Sequence, residues 1–136
     1  MNVLEKKIEI QLENNVQKLL NEANQWYLEL DFIASEIPFI KQILKSYPFQ
    51  SQKPNLFERL QLFVQRLESL EDLRIFTLDN IDSHKTQLVE LKKNAKDFDH
   101  FFRINHEIIE EEFTQFMDNY KLLKWEIFDY ANAILD

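Results

Sequence analysis

Apolar and aromatic residues recur at Val16, Leu19, Ala23, Trp26, Leu30, Ile33, Ile37, Ile40 and Leu44. Gaps of three and four residues hold one side of an α-helix to a single face, so the pattern predicts one long helix over about residues 4–46. Pro38 falls inside it, where it removes a backbone hydrogen bond and presses on the carbonyl of Ala34. The periodicity crosses Pro38 in phase, which predicts a bent helix; the alternative is a break with Ser35 as a cap.

The segment Tyr47–Pro54 holds two prolines, each restricting the residue before it, and reads as a loop. Beyond it Leu56, Leu60, Phe63, Leu67, Leu70, Arg74, Thr77, Ile81, His84, Leu88 and Leu91 continue the spacing. A second helix over about 55–93 follows. The cap-rich run Asp79–Ser83 offers an alternative break there, giving four helices. Asn94–Asp97 is the expected second turn, with Asp97 as N-cap of a third helix. Its stripe runs through Phe98, Phe102, Asn105, Ile109, Phe113, Phe116, Tyr120, Leu123, Ile127, Ala131 and Ile134. Three segments of about 40 residues, each some 60 Å long at 1.5 Å per residue, suit an antiparallel up-down-up bundle. The expectation is an all-α, single-domain chain over residues 1–136.

The first helix carries a second apolar stripe. At 100° per residue the core stripe from Trp26 to Leu44 lies between about 40° and 120°, while Leu28, Phe32, Phe39 and Ile43 lie between about 280° and 340°. Glu29 and Glu36 separate the stripes on one side; Asp31, Ser35 and Gln42 do so on the other. A helix apolar on two faces has two packing partners, and a three-helix bundle supplies only one of them. The second partner is either another molecule or a segment of the same chain, such as the 47–54 loop with Tyr47 and Phe49.

Composition supports the helical reading. The 136 residues include no glycine, which tight hairpins and phosphate-cradling loops draw on, and no cysteine, which removes disulfides and thiolate-ligated metals. Apolar residues make up 45% and charged residues 29%, enough apolar content for a packed core. The N-terminal segment is charged and no run approaches a membrane span, so a cytoplasmic location is expected. A net charge of −8 argues against nucleic-acid and membrane partners, which require cationic surface.

Candidate chemistry is sparse. Asp97-Phe-Asp-His100 is a lone approximation to a di-iron ligand pair. Bundle geometry sets His84 level with Asn105 and His106, with Glu13 and Gln17 at that height on the first helix and Glu110 one turn away. This group reads as a polar core layer or, alternatively, as a metal site of two imidazoles and a carboxylate. Arg74, at core phase, either snorkels to solvent or pairs with an acid such as Glu29 or Asp118. Asp99, His100, Glu107, Glu110, Glu111 and Glu112 form an acidic concentration, read as a solvated face or as a docking surface for a basic partner. The expectation is a non-enzymatic protein without cofactor or bound metal, which associates with a protein partner or with itself as a homodimer through Leu28, Phe32, Phe39 and Ile43. A metal-binding bundle using His84 and His106, and an acidic inhibitor that mimics nucleic acid, are the alternatives.

Overall fold

The computed structural model describes residues 2–46 and 54–135. Three long helices make up an all-α antiparallel bundle: α1 (Val3–Leu44), α2 (Pro54–Lys93) and α3 (His100–Leu135), with a 3-10 turn at Ala95–Asp97 before α3. Of the expected loop over 47–54, Pro54 is instead the first residue of α2, and residues 47–53, with Tyr47 and Phe49, lie outside the described residues.

The ends of the helices follow from short polar side chains. Asn2 Oδ1 accepts the backbone N–H of Glu5 at 2.8 Å and so caps α1. Asp97 does not cap α3 as expected. It sits in the 3-10 turn and accepts from the Asn94 amide, while Asp99 Oδ1 accepts the N–H groups of Phe101 and Phe102. The turn consumes Asp97, and the next carboxylate takes the free donors. Helix α1 continues through Pro38 with no break at Ser35, whose hydroxyl donates to the Phe32 carbonyl. Helix α2 likewise continues through Asp79–Ser83, so the four-helix alternative is not what forms. A stripe held in phase across the cap residues outweighs their local preference, because burying the apolar face stabilises the helix more than propensity opposes it.

All nine core positions expected on α1 are buried, as are nine of eleven on α2, Leu56 and Leu70 being half-buried. The polar intrusions are buried too, with Arg74 6%, Thr77 1% and His84 1% exposed.

Packing resolves into two compact units, Met1–Leu30 with Thr77–Phe113, and Asp31–Phe76 with Thr114–Asp136. In the first unit Gln17 meets Lys92 and Tyr27 meets Lys85, which sets α1 antiparallel to α2. His84 meets His106 and Asn80 meets Glu112, which sets α2 antiparallel to α3. In the second unit Arg66 meets Glu126 and the Phe63 ring meets Tyr130, again antiparallel, and Lys41 on α1 faces Glu68 on α2. No helix among the described residues is long and apolar enough to cross a membrane.

Candidate functional site

In the first unit α1, α2 and α3 bring four polar side chains into one chain of hydrogen bonds. Asn105 Nδ2 lies 3.1 Å from His84 Nδ1, His84 Nε2 lies 2.9 Å from His106 Nδ1, and His106 Nε2 lies 2.9 Å from Glu22 Oε2. An amide nitrogen only donates, so His84 accepts at Nδ1 and carries its proton on Nε2. His106 then accepts at Nδ1 and donates from Nε2 to the Glu22 carboxylate. Both rings are buried. Burial, reinforced by the neighbouring His106, lowers the His84 pKa to about 4, which keeps its imidazole neutral. The Trp26 ring, 4.7 Å from His106 between centroids, covers it from the side.

The sequence places His84 beside Asn105 and His106 correctly. It errs on α1, where Glu22 rather than Glu13 or Gln17 reaches the layer; Gln17 instead takes a hydrogen bond from Lys92. A hairpin centred on residue 50 assumes that α1 and α2 end level. The Lys92–Gln17 pairing shows them staggered, which brings forward a residue two and a half turns further along α1. Glu22 could have been noticed as an acid one position from core residue Ala23 and one turn before Trp26.

Glu110 adds a third potential ligand. One ligating atom each from Glu22, His106 and Glu110 lie within 4.8 Å of one another. No lysine or arginine among the described residues pairs with Glu22 or Glu110. Asp97 and His100 do not share a helix, which removes the di-iron-like spacing. Of the acidic concentration, Asp99 is spent as a cap, Glu112 accepts from Asn80 Nδ2 at 3.3 Å, and Glu107, Glu110 and Glu111 are exposed.

The second unit has its own polar groups. Glu36 Oε1 accepts from the buried Tyr120 hydroxyl and, at 2.7 Å, from Lys124 Nζ. Burial raises the Glu36 pKa, but the Lys124 and Tyr120 hydrogen bonds outweigh it and hold the group below the usual carboxylate value. Burial and the Glu36 hydrogen bond both push the Tyr120 phenol well above its ordinary range. Arg74 forms a two-point bridge to Glu71, Nε to Oε2 at 2.9 Å and Nη2 to Oε1 at 2.7 Å. Its carboxylate therefore lies one turn back on α2. Geometry favours that partner, since residues three apart on a helix are neighbours.

The second stripe of α1 faces outward. Leu28, in the first unit, is 62% exposed; Phe32 and Phe39, in the second, are 66% and 63% exposed, and Ile43 is half-buried. In the same unit α2 and α3 border a groove of about 640 Å³ whose lining includes Leu62, Phe63, Trp125 and Tyr130 together with Arg59 and Asp129.

Fold and site together define a three-helix bundle crossed by polar layers, with an apolar outer face on its first helix. Comparison with known proteins finds no matching family model, no similar curated protein and no similar solved structure.

Proposed function

We propose that this chain is a non-enzymatic helical-bundle protein that works by associating with a second copy of itself through the outer face of α1. The observation that carries this reading is the exposure of Phe32 and Phe39 on that face. Aromatic side chains this open to water are stabilised by burial, roughly 1.5–3 kcal/mol each when complete, before the cost of association.

The spacing favours a second copy over an unrelated partner. Leu28, Phe32, Phe39 and Ile43 are separated by four, seven and four residues, so the stripe reads the same in both directions. A twofold axis requires that if residue i meets residue j, then j meets i. Two antiparallel α1 helices crossing between Ser35 and Glu36 would set Phe32 of each on Phe39 of the other, and Leu28 on Ile43. Ser35, small and bonded back to its own helix, leaves room for close approach.

Size exclusion with light scattering at two concentrations tests the reading. The native chain is expected as a dimer that dissociates on dilution, and the Phe32→Asp, Phe39→Asp double variant as a folded monomer with an unchanged helical spectrum. Salt separates this reading from the acidic-inhibitor alternative. Chains of charge −8 repel, so self-association tightens as salt is raised, whereas docking on a basic partner weakens. A native chain that stays monomeric at both concentrations, or a double variant that unfolds, ends the proposal.

A further inference from the structure

We infer that Glu22, His106 and Glu110 form a binding site for a divalent transition-metal ion such as Zn²⁺, with His84 as the residue that positions His106. All four residues belong to the first unit, and none lies on the outer stripe of α1.

The three groups supply one imidazole nitrogen and two carboxylate oxygens already gathered within 4.8 Å. Imidazole suits zinc and its neighbours in the first transition row, and carboxylates complete such sites while compensating the ion's charge. Three protein ligands leave a fourth, open position. Tetrahedral coordination at bond lengths of about 2.0–2.1 Å separates ligand atoms by about 3.3 Å. The 2.9 Å contact between His106 and Glu22 would have to open by only about 0.4 Å.

Electrostatics point the same way. One carboxylate accepts from the imidazole N–H and a second lies within 4.8 Å, with no lysine or arginine among the described residues paired to either. Among the described residues Glu110 has no hydrogen-bond partner. An ion at His106 Nε2 supplies the missing positive charge.

The layer behind His106 is of the kind that orients a metal-bound histidine, whose second nitrogen is held by an outer group. Binding through Nε2 moves the ring proton of His106 to Nδ1, where it donates to His84 Nε2. The His84 proton correspondingly sits on Nδ1, and Asn105 turns its amide to accept it with Oδ1. Both rings keep one proton each, so the exchange balances without a further donor.

The test is titration of tag-free, chelator-stripped protein with Zn²⁺ by calorimetry, repeated with Co²⁺. The expected result is one ion per chain, with affinity lowered at least tenfold in Glu110→Gln and unchanged in Glu107→Gln. Both positions are exposed, so neither substitution threatens the fold. A Trp125→Phe background leaves Trp26 as the sole indole, and bound Co²⁺ beside His106 should quench its emission. His84→Ala, with helical content checked, should weaken binding by about 10–100-fold. Failure to bind at stoichiometric level, equal affinity in Glu110→Gln, or an equal loss in Glu107→Gln would overturn the site.

Discussion

In the second unit the buried charges lie beside their opposites. Arg74 is bridged to Glu71, and Glu36 gathers the Tyr120 hydroxyl and the Lys124 ammonium. The first unit instead builds its layer from two imidazoles and an amide, and ends it at a carboxylate. Both layers satisfy hydrogen bonds that an apolar core would leave unmet. They differ in what they can respond to. Ion pairs hold the second unit's layer, whereas the imidazole layer depends on His84 staying neutral.

Acid should break this contrast most strongly. The His84 pKa is about 4 in the folded chain against about 6.5 when unfolded, so the unfolded state binds the extra proton first. The neutral ring's contribution is complete above pH 6.5 and is lost as pH falls toward 4, a change of about 3 kcal/mol. Denaturant melts at pH 7 and pH 4.5, with chelator present, check this. A His84→Asn variant should flatten that part of the profile.

Removing one partner of the second unit's pairs comes next. Glu71→Ala removes the two-point bridge from a buried guanidinium and should cost about 2 kcal/mol, less than a fully enclosed pair because Glu71 is partly open to solvent. Glu36→Ala, which leaves the Tyr120 hydroxyl unpartnered, should cost about 1–2 kcal/mol, and Glu36→Gln should restore part of it.

The smallest effect has the opposite sign. Thr77 Oγ1 is buried and finds no hydrogen-bond partner among the described residues. Thr77→Val should therefore raise stability by about 1 kcal/mol, seen as a higher melting temperature. A loss instead would mean that the hydroxyl is needed where it stands.

How much of this was legible in the sequence differs from residue to residue. The stripe from Val16 to Leu44 identifies the α1 core position by position, because 3.6-residue periodicity is a local property that one helix imposes on itself. The same reasoning places Arg74, Thr77 and His84 inside, and puts Leu28, Phe32 and Phe39 outside.

Helix identity, core phase and the outward stripe were thus set by the order of residues alone. Which carboxylate reaches His106, that Tyr120 selects Glu36, and that Asp99 rather than Asp97 caps α3 were decided only by the tertiary structure. The physical reason is register. Periodicity fixes the direction in which a side chain points around its own helix, but the stagger between helices depends on how connections and whole apolar faces pack. A shift of two and a half turns exchanges Glu13 for Glu22 without altering any local pattern.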